Sequence, residues 1–238
     1  MTVPILRGMD VQQESIVGKL KSLPMFSDLS AGDLMALAGM MTFRQFAKGS
    51  FVISQNDKGS VMYLLVAGRV KVSLASPEGK ELALNYLEAP SHFGEMSLVD
   101  AEPRSADVIA VTEVEVLCLD AKDLSAAIQV QPKLALTLIA TLSRRVRGLI
   151  GRLEDMAFHD ATHRVMRVIL NVATASYESR GVPVVEGLTH YEVATLAGTS
   201  RETASRVISQ LAKDGVVGTK GRRVIVDLFA LRDRIERD

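Results

Sequence analysis

Cysteine is almost absent from this chain. Cys118 stands alone among 238 residues, which excludes an internal disulfide and an iron–sulfur cluster held by cysteines of one chain. It sits in the apolar run VEVLCLD, where a buried, inert thiol is expected. Net charge is absent too, since 28 Lys and Arg balance 28 Asp and Glu. Any basic surface must therefore be local. From Phe158 onward twelve basic residues stand against ten acidic ones, an excess too small to argue for or against a polyanionic partner. No run approaches the roughly 18 apolar residues of a membrane span, and no long apolar segment stands near the N-terminus. A cytoplasmic protein with no membrane partner is expected. Metal-ligand clusters, nucleophile–base sets and phosphate-cradling loops are missing as well, so no catalytic residue is assigned and no enzyme is expected. His159 and His163 are spaced i, i+4, but no third ligand is evident, and no metal is expected.

What remains is a globular composition, 47% hydrophobic and 24% charged, long enough for two domains. Residues 1–21 are weakly patterned and read as an arm. Ser30 is a plausible cap for a short amphipathic helix to Met41. From Phe43 to Leu119 the pattern changes to period two or short apolar runs: SFVIS, YLLVAGRVKVSLA, ELALNYLE, DVIAVT and VEVLCLD. Turn residues such as NDKGS, SPEGK and AEPRS separate them. Many short strands at regular spacing predict an antiparallel sandwich or barrel. Asp120 can cap AKDLSAAI. A long helix follows Pro132, over about 133–156, with an apolar stripe of Leu134, Leu138, Leu142, Val146, Leu149, Leu153 and Met156. That stripe resembles the seam of a coiled coil, and a helix lying on the core of its own domain is an equally simple reading. The length, about 36 Å at 1.5 Å per residue, favours a bridge that also pairs with a second copy. Asp160 can cap a further helix, and 178–187 reads as a loop.

The segment THYEVATLAGTSRETASRVISQLAK carries two helix starts ten residues apart. Thr189 precedes Glu192 by three residues, and Thr199 precedes Glu202 by three. Each pair fits a capping box. Gly198 between them suits a left-handed helix end. The reading is helix, tight turn, helix, followed by a small hairpin around Lys220, Gly221, Arg222 and Arg223. In the second helix Ala204, Val207, Ile208 and Leu211 share one face. Glu202, Arg206, Ser209 and Lys213 share the other, with Arg201 in the first turn. Arginine can pair in bidentate fashion with guanine, and glutamate can accept from the cytosine amino group. Hydroxyls near a helix start suit phosphate oxygens. Double-stranded DNA is the expected partner, with Thr189, Ser200, Arg201, Glu202, Thr203, Arg206, Lys220 and Arg222 as the contact set.

Residues 92–106, HFGEMSLVDAEPRSA, interrupt the strand pattern. Gly94 permits close backbone approach, and a turn starting there would offer amides to an anion. Arg104 can neutralise a phosphate by a forked contact. Glu95 can accept hydrogen bonds from a sugar hydroxyl. A solvent-exposed loop with a Glu–Arg ion pair is the alternative, and spacing alone does not decide between them.

FGEMSLVDAEPRSA resembles the phosphate-binding cassette of cyclic-nucleotide-binding domains. SRETASR resembles the recognition helix of the Crp/Fnr family of bacterial transcription regulators, and YLLVAGRVKVSL and AFHDATHRV are similar to that family too. The resemblance runs from about residue 22 to about residue 228. It implies an α+β chain. An N-terminal β-roll, a jelly-roll-like antiparallel barrel, would occupy 22–130. A long dimerisation helix and hinge would occupy 131–158, and a winged helix-turn-helix 159–238. Gly94, Glu95, Met96, Arg104 and Ser105 would line a cyclic phosphate and its ribose. Arg201, Glu202 and Arg206 would read bases in a homodimer, on a palindrome with TGTGA-like half-sites. RNA polymerase would be a further partner, with 178–187 as its candidate surface.

One departure bears on the effector. Cyclic AMP-responsive members of the family place a polar pair against the adenine, and here Leu149 and Ile150 stand at those positions. Neither can donate or accept, and an unpaired buried polar edge costs about 1–3 kcal/mol. The expected ligand is a cyclic nucleotide, cyclic AMP first, with cyclic GMP or cyclic di-GMP as alternatives and no cofactor besides. Arg144, Arg145, Arg147 and Arg152 nearby could suit a guanine or extra phosphate, or form a solvated basic face. A ligand-independent regulator is the remaining reading.

Overall fold

The computed structural model describes residues 16–26, 29–76, 81–186, 188–220 and 223–237. The expected arm therefore lies mostly outside the described residues, as do most of the SPEGK turn, Gly187, Gly221 and Arg222. By internal contacts the chain divides into two units, Met1–Ala75 with Asn85–Val146 and Ser76–Leu84 with Arg147–Asp238.

The first unit begins with a helical segment over 16–21 and a 3-10 turn, Pro24–Phe26. Helix α1, Ala31–Met40, starts where Ser30 accepts a hydrogen bond from the Asp33 amide, as its sequence suggests. Eight strands follow: β1 Thr42–Phe46, β2 Phe51–Ile53, β3 Val61–Ala67, β4 Arg69–Ala75, β5 Glu81–Glu88, β6 Ser91–Phe93, β7 Asp107–Ala110 and β8 Val114–Asp120. A four-residue helix, α2 (Met96–Val99), sits between β6 and β7. The strands form two four-stranded sheets, ordered β1-β8-β3-β6 and β2-β7-β4-β5. Helix α3, Ala121–Val130, and the long helix α4, Lys133–Phe158, follow.

Two apolar clusters explain the strand sequences. Val52, Ile53, Val70, Val108 and Ala110 of one sheet pack with Leu65, Phe93, Val114, Val116 and Cys118 of the other. On the outer face of the first sheet, Met62, Leu64, Leu117 and Leu119 pack with Leu34 and Leu37 of α1, Leu124 of α3, and Leu134 and Leu138 of α4. β3 and β8 are thus covered on both faces. That is why they read as continuous apolar runs rather than clean alternation. Cys118 is buried, as its surroundings suggest, and burial pushes its thiol pKa up.

The two roles of α4 correct the expected seam. Leu134 and Leu138 are buried in their own domain, each contributing about 2 kcal/mol. They are not part of a seam. The exposed large apolar positions of α4 are Leu136, Ile139, Val146, Leu149, Ile150, Leu153, Met156 and Phe158. Leu136, Ile139, Val146, Ile150 and Leu153 fit a heptad register whose remaining sites are Ser143 and Ala157.

The second unit continues with α5, Ala161–Arg180, whose N-cap Asp160 accepts from the His163 amide. β9 is Val184–Glu186, α6 His190–Ala197, α7 Arg201–Lys213, β10 Val217–Lys220, β11 Arg223–Val226 and α8 Leu228–Arg237. The loop expected at 178–187 is only partly a loop. Glu178–Arg180 complete α5, and Val184–Glu186 pair with β11 to make a three-stranded sheet, β10-β11-β9. Helix α8 is an addition to the elements expected from the sequence, and its local signals are plain. Asp227 Oδ1 accepts from the Phe229 and Ala230 amides at 3.0 Å, and Leu231 and Ile235 are buried. One core joins Val165, Ile169, Val193, Ala204, Ile208, Leu211 and Leu231.

Candidate functional site

The interruption after β6 is a built structure. Gly94 turns the chain with φ 78°, a region that favours glycine. A Cβ there would also meet Arg104 Nη1 and Ile53 Cδ1, each at 3.0 Å. Arg104 returns on the loop before β7. Its backbone is pinned on both sides, with Arg104 N–H donating to Asp57 O and Asn56 N–H to Arg104 O, both at 2.9 Å. Its buried guanidinium donates from Nη1 to Gly94 O at 2.8 Å and from Nη2 to Val61 O at 2.7 Å. A guanidinium carries five N–H groups. Among the described residues two are engaged this way, which leaves donors for an anion. The cation also lies 6.0 Å from the centroid of Tyr63, which stacks on Phe93 at 5.3 Å.

Glu95 is 2% exposed. One carboxylate oxygen accepts from Arg145 of α4, and Arg145 Nη2 donates to His92 O at 2.7 Å. The other oxygen, Oε2, is buried with no hydrogen-bond partner among the described residues. A buried acceptor left open is costly, about 1–3 kcal/mol, and invites a hydroxyl donor. His92 beside it is pushed down to a pKa of about 4, first by burial and then by the opposed effects of Glu95 and of Arg145 and Arg144. Met96 and Ser105 border the same place, with Ser105 Oγ 3.7 Å from Met96 Sδ. Thus the structure brings Gly94, Glu95, Met96, Arg104 and Ser105 together in the first unit. Leu149 and Ile150 belong to the second unit and are half exposed.

The helix-turn-helix is equally explicit. Thr189 and Glu192 form the full capping box of α6, the Thr189 hydroxyl accepting from Glu192 N at 3.2 Å and Glu192 Oε2 from Thr189 N at 2.6 Å. Gly198 is left-handed at φ 59°. The second cap is corrected from Thr199 to Ser200, whose side chain accepts from Thr203 N at 3.1 Å. Thr199 is not available for that role, because its own amide closes the preceding helix on Ala194 O at 3.0 Å. Arg164 of α5 fixes the turn from below, donating to Ala197 O at 2.8 Å and Gly198 O at 3.3 Å. Ala204, Val207, Ile208 and Leu211 are buried, while Arg201, Glu202, Arg206, Ser209 and Lys213 are exposed on the other face. Glu202 is held below the ordinary carboxylate range by its own backbone amide and then by the Ser200 hydroxyl. Lys220 ends β10, and Arg222 lies outside the described residues.

Residues 43–131 match the model of the cyclic nucleotide-binding domain, and residues 163–234 match that of the Crp-like helix-turn-helix domain. The cyclic AMP receptor protein of Thermus thermophilus is 35% identical over 216 residues, covering 91% of this chain and 98% of its own. The chain belongs to the Crp/Fnr family of transcription regulators. An Escherichia coli relative, a cAMP-activated global transcriptional regulator, is 31% identical over 76% of this chain and 88% of its own length. The solved Thermus thermophilus catabolite activator protein is similar at 34% identity and TM-score 0.53, covering 89% of this chain and 97% of that one.

Within this Crp/Fnr frame the chain is a DNA-binding, cyclic-nucleotide-binding regulator. Two residues beside the cassette stand out only in the structure: Gly59, which no motif marks, and Arg145, which the sequence offers only together with its neighbours. Gly59, in the NDKGS turn, lies so close under Arg104 that an added Cβ would stand 2.3 Å from Nε. Arg145 is indistinguishable by spacing from its neighbours. The structure separates the four arginines of α4. Arg145 turns onto Glu95 and Arg152 donates to the carbonyls of Ala83 and Leu84, whereas Arg144 and Arg147 are exposed. They do not form one solvated basic face.

Proposed function

We propose that this regulator works as a homodimer, switched by a cyclic nucleotide held in the cassette, with cyclic AMP the first effector to test. The observation that carries this reading is the buried, unpartnered Oε2 of Glu95, next in the chain to Gly94, whose carbonyl holds a guanidinium with donors to spare. One suits a ribose hydroxyl and the other a cyclic phosphate. The names of the two sequence relatives, both tied to cyclic AMP, support the same choice. The exposed heptad positions of α4 support pairing with a second copy, since an apolar stripe of this length is costly to leave in water. Two copies of α7 would then present Arg201, Glu202 and Arg206 to TGTGA-like half-sites one helical turn apart. RNA polymerase, engaged from a cytoplasmic location, completes the reading.

Leu149 and Ile150 favour a second version. An adenine edge gains no hydrogen bond from either, so cyclic GMP, cyclic di-GMP or no effector at all becomes the alternative. Calorimetry with cyclic AMP, cyclic GMP and cyclic di-GMP, with and without a palindromic duplex, tests both. An effector that switches the protein must bind more tightly when operator is present, because coupling is reciprocal. Equal affinity in both states overturns switching, and no heat with any nucleotide favours ligand-independent regulation.

A further inference from the structure

The break between α4 and α5 gathers three residues that the sequence left scattered. Asp155 lies in the last turn of α4, His159 follows its end, and His163 lies in the first turn of α5. Their ligand atoms all lie within 4.8 Å of one another. Sequence reasoning found the histidines but no third ligand. Asp155, four residues before His159, is the third group of the cluster.

His163 is the fixed member. Its amide donates to Asp160 Oδ1 at 2.8 Å, so the cap holds its backbone. The residue is 8% exposed, and its ring Nδ1 is buried with no hydrogen-bond partner among the described residues. A buried imidazole nitrogen is seldom left this way without a reason. Burial, then His159, lowers its pKa, with Asp155 and Asp160 opposing and Arg167 adding to the effect. His159 is the exposed member, stacked flat on His163 with centroids 3.7 Å apart and planes within 3°. Asp155 pairs with Arg167, with Nε to Oδ1 at 3.4 Å.

We propose that Asp155, His159 and His163 bind one divalent transition-metal ion of the zinc class. Two imidazoles and a carboxylate are a recurrent zinc set, with water as a fourth ligand. Nitrogen donors disfavour calcium and magnesium, which take oxygen. An ion cannot lie in two parallel ring planes at once, so binding requires His159 to rotate off the stack while His163 stays. The site adjoins Arg164, whose guanidinium donates to His159 O at 2.9 Å as well as to the turn before α7. Ion binding itself is independent of the regulatory reading.

The experiment is a titration of the full chain with Co2+, followed by visible absorption, and equilibrium dialysis with Zn2+. One ion per chain with micromolar affinity is expected. His159→Ala changes an exposed side chain and leaves the fold intact, and it should weaken binding by about 100-fold. Asp155→Asn and His163→Ala should do the same, with circular dichroism reporting the fold. His92→Gln and His190→Gln should leave binding unchanged. Absence of saturable binding in the micromolar range, or wild-type binding by His159→Ala, overturns the proposal.

Discussion

Arg145 closes one oxygen of Glu95 and leaves the other open. Glu95 is 2% exposed, and removing one partner of a buried ion pair is strongly destabilising. The pair thus holds a negative acceptor ready at the place where a sugar hydroxyl is needed. Arg145→Ala should lower unfolding stability by roughly 3 kcal/mol in urea titrations. Adding Glu95→Gln to that variant should recover most of the loss, because the orphaned charge disappears. An equal loss in the double variant would mean that Arg145 acts through packing alone.

Gly59 gives the sharpest test of Arg104. Adding one methyl places a carbon 2.3 Å from Nε and forces the guanidinium to move. Gly59→Ala should therefore weaken cyclic nucleotide binding by about 10-fold or more, some 1.4 kcal/mol, with the charge of the site unchanged. Calorimetry on the effector found in the ligand panel measures it.

Acid should destabilise the β-roll through His92. Its pKa falls from 6.5 to about 4 in the folded state, mainly by burial. The unfolded chain therefore binds the proton more tightly. Stability is full above about pH 6.5 and is lost as the pH falls toward about 4. Between about pH 7.5 and about pH 5 the wild type should lose ~2 kcal/mol on this account. His92→Gln should flatten that part of the profile, as seen in urea midpoints across the range.

Glu202 is exposed at the start of α7, so removing it should not alter folding. Glu202→Ala should relax preference at one base step by about 1–3 kcal/mol while leaving overall affinity largely electrostatic. A selection from randomised half-sites reads this directly. An unchanged base preference would remove Glu202 from the reading set.

Gly198→Ala isolates backbone strain. Its φ of 59° is unfavourable for alanine, yet an added Cβ would touch Leu82 and Met156 only at 3.7 and 3.8 Å. The expected loss is about 1–2 kcal/mol of unfolding free energy, with no clash to repair. A larger loss in thermal unfolding would point to crowding instead.

Much of this protein was fixed by local chemistry. Capping residues, Gly198 and the apolar face of α7 are short-range signals, and they delivered the helix-turn-helix with one cap misplaced by a residue. The strand runs announced a β-domain, and the cassette motif named its candidate residues. Tertiary structure decided what spacing cannot encode. It chose which stripe of α4 is buried, since Leu134 and Leu138 meet a sheet that is distant in sequence. It separated Arg145 from its look-alike neighbours by giving it a buried carboxylate from 50 residues away. It set Gly59 beneath Arg104 and Asp155 beside two histidines. Periodicity reports which residues share a face, but only the packed chain determines what that face meets.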